Sequence, residues 1–597
     1  MMRRHHTLAA AAALVLTGLA APAATAEPAT EQATEPAGTV PVQLLSITDL
    51  HGYFGAYTAS IRGAHAGDPA QTVGGGAYLA THLKQLAAGQ PNSILFSAGD
   101  DFSGWPDETE FFWNEPTVEY LDAIGLEFST VGNHEMDRGF AFLDHMRNGT
   151  CEGRPDDDLC FTDSTGQVFD GAEYEYYSAN VIDRATDEPA LEPSHVEYVD
   201  DGAGGTLPVG FVHATTSLTS SEQMSYTPTG YDYAPEVAAI NAATSALRDQ
   251  GVEAIVVVLH EGFSQQAGTG YNDCVAPFGP AVDFNREIDA EVDAIVTGHW
   301  HGMVNCFLPG PDGVPRPIVQ GGNHGHLISE IGLRLDPATG DVVRDRTTSV
   351  LHPNTQDVAP DPEAVRIADY WQARLAERNA TEIATVTGDI RRAPGDAAES
   401  PAYNLAADAF LWAANQDGAA DLAVAMPGIL RADVTYAPTP SRLGDAPGRV
   451  LFPELAVGVV YDSGIGVGIV RGTVTGQDVL DLLESQWQAG PNGTVTFRSM
   501  AVSGNVTYAY DTDRPLGRRV VPGSVRVDGR PLRPGGDYRV ATLANNFFAK
   551  NATPGFTALI GARDQDRSLF NGGDALWRYA EAHSPLAPPE VGRASAR

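Results

Sequence analysis

Residues 42–51 read VQLLSITDLH, a continuous apolar run that ends in Asp49 and His51. Four further runs in the first half repeat the design. SILFSAG (93–99) leads into Asp100, FSTVG (128–132) into Asn133 and His134, AIVVVL (254–259) into His260, and VDAIVTG (292–298) into His299 and His301. Short unbroken Val/Ile/Leu runs read as strands buried on both faces, in a sheet with a covering layer on each side. Ligands of such sheets gather at the carboxyl ends of the strands, so residues from distant stretches converge on one edge.

The chain has 597 residues, more than one core holds, and 43% of them are hydrophobic, too many for a disordered chain. A formal charge of −40 repels a polyanion and argues against nucleic-acid polymers as partners. A small anionic substrate stays admissible where metals or a few arginines reverse the sign locally. Arg3 and Arg4, the apolar run from Leu8 to Leu19, and Ala24-Thr25-Ala26 read as a secretory signal peptide over 1–26, cleaved after Ala26. No later stretch is apolar for long enough to be a transmembrane segment. The expected location is secreted, extracellular. Cys151 and Cys160 share one polar loop, and Cys274 and Cys306 flank the GHWH segment. Of three possible pairings, Cys151–Cys160 and Cys274–Cys306 are favoured because each joins loops near the same strand ends. Neither pair has the tight spacing of a zinc thiolate site.

Residues 27–40 read as a disordered tail rich in Pro, Ala and Thr. Over 41–355, strands alternate with helical stretches such as AYLATHLKQLAA and APEVAAINAATSALRDQ, an α/β pattern. Within 356–380, Asp361-Pro362 starts a linker helix whose Val365, Ala368, Trp371 and Leu375 repeat at helical spacing. Over 381–585 the pattern turns α+β: PAYNLAADAFLWAANQ is helical, and VLFPELAVGVVY, TVTFRSMAVSG, VTYAYD, SVRVDG and YRVATL read as β-rich. A Pro-rich disordered tail, 586–597, closes the chain.

The candidate ligands Asp49, His51, Asp100, Asn133, His260, His299 and His301 mix carboxylate, amide oxygen and imidazole without thiolate. Such a set suits zinc, manganese, iron or a similar divalent ion. Seven ligands exceed one tetrahedral ion, and a shared carboxylate lets them serve two ions ~3.5–4 Å apart, the spacing of two-metal hydrolases. Singly, a strand-end Asp is as readily a helix cap and a lone His a core residue. Five such strand ends together point to a metal site.

D-L-H, G-D-D, G-N-H-E, H-E-G and G-H-W-H occur in an order that resembles the calcineurin-like metallophosphoesterases. With its second half, the chain resembles the secreted bacterial 5′-nucleotidase family over about 42–580. The resemblance implies an α/β N-terminal domain, a layered β-sandwich flanked by helices, joined by a helix to an α+β C-terminal substrate domain. It assigns Asp49, His51, Asp100 and His301 to one ion and Asp100, Asn133, His260 and His299 to the other. His134 takes the place of the catalytic histidine and Asp137 that of the acid orienting it. His82, His145, His213, His324 and His326 have no such match and read as structural.

In the second half, ESPAYNLAADA (399–409), PGILRAD (427–433) and TVTGQDVLDLLE (473–484) resemble family segments, with Arg431, Phe548 and Asn404 at substrate-binding positions. Met426 stands where the family has Asn, Ala398 where Arg is common, Ile465 where a stacking ring is supplied, and Pro554 where a ribose-binding Asp is placed. Tyr461 is an alternative, displaced ring. The function implied is a two-metal phosphoesterase hydrolysing phosphomonoesters of small phosphorylated substrates, 5′-nucleotides first, by attack of a metal-bound hydroxide. A 2′,3′-cyclic nucleotide, a nucleotide sugar or a sugar phosphate is the alternative that the altered pocket suggests. A non-catalytic extracellular binding protein is the reading of another class. Oligomeric state is open.

Overall fold

Alternation decides how the apolar runs pack. Along the strand Val40–Ile47, Val42 and Leu44 join one buried cluster, while Leu45 and Ile47 join another on the opposite face. The computed structural model describes residues 38–597 except 104–105, 151–159, 221–229, 395–397, 440–443, 458–467, 491–492 and 548–554. The expected leader, Cys151, Tyr461, Ile465, Phe548 and Pro554 lie outside the described residues.

Two six-stranded sheets build the first half. One runs in the order Thr348–Pro353, Leu327–Leu335, Val40–Ile47, Ser93–Ser97, Phe128–Thr130, Glu175–Tyr177. The other runs Met303–Pro309, Pro315–Gly321, Ala294–Thr297, Ala254–His260, Thr206–Thr215, Ser194–Asp200. Val42, Leu44, Phe96, Phe128, Phe211, Val256 and Val258 fill the space between the sheets. Helices Gly76–Ala87, Glu115–Ala123, Phe140–Asn148 and Pro362–Asn379 cover the outer face of the first sheet, and Glu236–Asp249 covers that of the second. The runs are continuous because both faces of each strand are covered. Val40–Ile47, Ser93–Ser97 and Phe128–Thr130 are parallel neighbours, as are Ala254–His260 and Ala294–Thr297. Parallel strands end at one edge, which positions the site.

The second half holds a five-stranded sheet in the order Ala501–Val502, Leu422–Ala425, Asp537–Leu543, Gly468–Thr475, Arg563–Asn571. Helices Pro401–Ala414, Gly476–Glu484 and Gly572–Ala582 share its core. Between the halves, the helix Pro362–Asn379 starts where the Asp361 side chain accepts from the Glu363 and Ala364 amides. Arg378 near its end lies over the rings of Phe452, at 4.6 Å, and Phe112, at 5.6 Å.

Four expectations change. The linker helix buries Ala364, Ile367, Trp371 and Leu375, whereas Val365 and Ala368 are only half-buried. A helical stripe is wide enough for neighbouring positions to compete, and Trp371 decides by donating to Glu119 at 2.7 Å. In VLFPELAVGVVY (450–461), Val450 and Leu451 end the strand Arg449–Leu451, Phe452–Ala456 is a helix, and 458–461 lie outside the described residues. Pro453 suits a first turn, and the Glu454 side chain accepts from the Leu451 amide at 2.8 Å. Val40, assigned to the leading tail, opens a strand. The closing tail is ordered: Ala594–Ala596 pairs with Val506–Tyr510, Glu399 accepts from the amides of Gly592 and Arg593, and Arg593 grips Asp408. Those bonds satisfy backbone groups that the Pro-rich composition left unassigned.

Cys274 and Cys306 are joined, tying the loop after His260 to the strand after His301. Among the described residues, no helix is long and apolar enough to cross a membrane. Trp371 is 1% exposed, so Trp371→Ala is expected to cost about 3–5 kcal/mol of stability, read from denaturant unfolding of the full chain.

Candidate metal centre

Each proposed ligand sits at the end of a strand or just beyond it. Asp49 and His51 follow Val40–Ile47, Asp100 follows Ser93–Ser97, Asn133 follows Phe128–Thr130, His260 ends its own strand, and His299 and His301 follow Ala294–Thr297. The chain turns sharply there: Asp49, His51, Asp100, His299 and His301 all have φ between 50° and 70°. That left-handed conformation costs a residue with a side chain about 1–3 kcal/mol, and it persists where surrounding bonds impose it. Here Asp49 donates its amide to the Gly99 carbonyl, His51 to the Asp100 carbonyl, and His324 to the Asp49 carbonyl. The turns interlock.

Their side chains converge. His260 Nε2 lies 3.0 Å from Asp100 Oδ2 and 3.1 Å from Asn133 Oδ1. His301 Nε2 lies 3.3 Å from both Asp49 Oδ1 and His51 Nε2. His51 Nε2 is 3.9 Å from Asp100 Oδ2, and His299 groups with Asp100 and His260. All seven expected ligands are therefore brought to one place. His260 Nδ1 donates to the Ala98 carbonyl at 2.7 Å and His51 Nδ1 to the Phe102 carbonyl at 3.2 Å. A carbonyl only accepts, so each Nε2 is left to face the carboxylates, the orientation that ligating imidazoles require. The room is tight as well. A Cβ on Gly132 would stand 2.2 Å from Asp100 Oδ1, and one on Gly298 would stand 2.7 Å from His260 Nδ1.

The electrostatics are uneven. Burial opposes charge on His260, but Asp100 and Asp49 raise its pKa to about 10. Burial would raise Asp100, yet His260 and His134 hold it well below the usual carboxylate range. Burial lowers His51 to about 3, and burial with His260 lowers His299 to about 4. Two carboxylates, an amide oxygen and neutral imidazoles form a donor set that fits a divalent cation, which would replace the proton favoured on His260.

His134 Nδ1 bonds Asp137 Oδ2 at 2.7 Å, and its ring centroid lies 5.1 Å from that of His51. Burial opposes its charge, while Asp137 and Asp100 lift its pKa to about 9. Its amide donates to Asp100 Oδ1 at 2.8 Å. In the second half, Arg431 is exposed and Met426 fully buried. Asn404 is buried, with Nδ2 donating to Glu399 and to the Glu590 carbonyl. Of the histidines read as structural, His145 bonds Glu115, His213 bonds Thr130 and His82 bonds the Thr355 carbonyl. His324, however, stacks on Tyr53 at 3.8 Å and lies 5.9 Å from His51.

Sequence reading missed Glu135, although it stands inside G-N-H-E. Its buried carboxylate accepts from the amides of Asp100, Asp101, Phe102 and Gly132 at 2.6–3.3 Å, so it shapes the turn that aims Asp100. Glu135→Ala is expected to weaken affinity for a divalent ion by about 10–100-fold, measured by competition with a chromogenic chelator. Unchanged affinity would show that the turn holds without it.

Residues 43–303 match the calcineurin-like phosphoesterase family, and residues 382–559 match the 5′-nucleotidase, C-terminal domain. An endonuclease of Bacillus subtilis is 28% identical over 386 residues, 64% of this chain and 29% of that protein. A cell wall protein of Listeria monocytogenes is 28% identical over 571 residues, 89% of this chain and 67% of that one. The chain thus spans less than a third of the first relative's length and about two thirds of the second's. The solved NAD nucleotidase of Haemophilus influenzae shares the fold, with a TM-score of 0.54 at 16% identity over 94% of this chain and 100% of that one. The strand-end cluster falls inside the first matched segment, and the chain belongs to the calcineurin-like phosphoesterases that carry a 5′-nucleotidase C-terminal domain.

Proposed function

We propose that the protein is a divalent-metal-dependent phosphoric ester hydrolase acting on small phosphorylated substrates, 5′-nucleotides first. The observation that carries this reading is the His134–Asp137 pair standing beside a cluster of metal-type donors drawn from five strand ends. Asp49, His51, Asp100 and His301 would hold one ion, and Asp100, Asn133, His260 and His299 a second. Bound there, the ions would supply an activated water and neutralise phosphoryl oxygens.

The chain's own groups do the rest. Asp137 orients His134 by accepting from Nδ1 and stabilises the imidazolium that its raised pKa favours, in which Nε2 also carries a proton and can donate to charge that builds on the phosphoryl group. Glu135 and the interlocked turns hold that geometry before substrate arrives. Export after cleavage at Ala26 is part of the proposal, and the cell wall relative supports it.

A substrate other than a 5′-nucleotide is the second reading, and Met426 favours it. That side chain is fully buried in an apolar core and offers no amide to a ligand. The test is a phosphate-release screen of the full chain with manganese or zinc across nucleotides, cyclic nucleotides, nucleotide sugars and sugar phosphates. His134→Ala is expected to lower turnover on every substrate by about 10²–10⁴-fold. Arg431→Ala is expected to raise KM for the preferred substrate by roughly tenfold and to spare an aryl phosphate. No turnover of an aryl phosphate with any metal would favour a binding scaffold instead.

A further inference from the structure

Two guanidinium groups are placed where a protein of net charge −40 has little cause to leave them short of partners. Arg138 follows Asp137 directly, and its side chain is only 7% exposed. Its Nη2 donates to Glu110, and its guanidinium lies 4.4 Å above the Trp113 ring. Its Nη1 is buried without a hydrogen-bond partner and lies 3.9 Å from Asp574 Oδ2. Asp574 belongs to the first turn of Gly572–Ala582, so this contact crosses the seam between the two halves.

Arg567 comes from the strand Arg563–Asn571, which leads into that same helix. Its Nη1 is also buried without a hydrogen-bond partner. The guanidinium lies flat against Gly468: a Cβ there would stand 2.4 Å from Nε and 2.8 Å from Cζ and Nη2. The absent side chain is what lets the guanidinium lie there. Arg138, Asp137, Glu110 and Asp574 all act on it electrostatically. Those carboxylates already have work: Asp137 on His134, Glu110 on Arg138, and Asp574 on the Asn571 amide and the Trp577 indole. Burial first, and then the neighbouring Arg138, push the Arg567 guanidinium down to about 10, against the opposite pull of Asp137, Glu110 and Asp574.

We propose that Arg567 and Arg138 form an anion subsite at the seam between the two halves, beside His134 and Asp137, and that it takes a phosphate group. The inference rests on the hydrolase reading for its ligand class. Guanidinium is the side chain best matched to phosphate, because its planar donors engage two oxygens at once. One arginine from each half also means that the subsite is complete only while the halves are docked. The phosphate has two possible sources: a second phosphate on the substrate, or free inorganic phosphate.

The test uses the full, metal-supplied chain as wild type, Arg567→Gln and Arg567→Lys. Inorganic phosphate and pyrophosphate are titrated as inhibitors of aryl phosphate turnover, and the unfolding temperature is measured with and without phosphate. Arg567→Gln is expected to weaken inhibition by about tenfold or more, with Arg567→Lys intermediate. The unfolding temperature of ligand-free Arg567→Gln should stay level or rise, since an unpaired buried charge is removed. A larger loss for pyrophosphate than for phosphate assigns the subsite to a second phosphate on the substrate. Equal losses assign it to free phosphate. Inhibition by both anions within twofold of wild type overturns the proposal. Should the wild type show no turnover, the hydrolase reading fails on its own, and the subsite is then read from unfolding. A phosphate-dependent rise in wild type that Arg567→Gln lacks supports the subsite, and an equal rise in both overturns it.

Discussion

A carboxylate sealed from water stays charged only where positive charge or hydrogen-bond donors stand against it, and Asp100 is placed under that constraint. Its Oδ2 is 3.0 Å from His260 and 3.9 Å from His51, and its Oδ1 accepts from the His134 amide. Those three histidines come from strand ends in both sheets. Keeping Asp100 in place therefore requires the sheets to be stacked, their parallel strands in register, and the turns beyond them held in left-handed conformations. The cost of those turns is met by the apolar layers on either side of each sheet, which bury Val, Ile, Leu and Phe almost completely.

Much of the first half was legible in the sequence because its signals are short in range. An unbroken apolar run declares a strand covered on both faces, and the polar residue at its end declares the edge where strands stop. Asp49 and His301 were assigned to one place for that reason, and they stand 3.3 Å apart. What stayed hidden depends on three-dimensional context. Nothing in the spacing shows that Asp49, His51 and Asp100 are bent into φ values that favour glycine. Glu135 was inside a recognised motif, yet its role appears only when four amides are seen converging on it.

The second half was less legible, for a physical reason. FPELA looked like part of a strand because propensity was read without the Glu454 cap, and the closing segment looked disordered because its strand partner, Val506–Tyr510, lies far away in sequence. Arg138 and Arg567 likewise come within electrostatic reach of each other only through the docking of the two halves, which no local pattern encodes. The two halves divide the labour accordingly. The first would supply a preorganised donor cluster and an oriented histidine, and on the proposed reading the second, with Met426 buried, would bear on which phosphorylated molecule is held.

The most direct measurement is elemental analysis of the purified full chain after dialysis against a divalent metal, beside Asp100→Asn. Because Asp100 is proposed to touch both ions, wild type should retain two per chain and the variant markedly fewer. A wild type that retains none, or a variant that retains as many, would contradict the account.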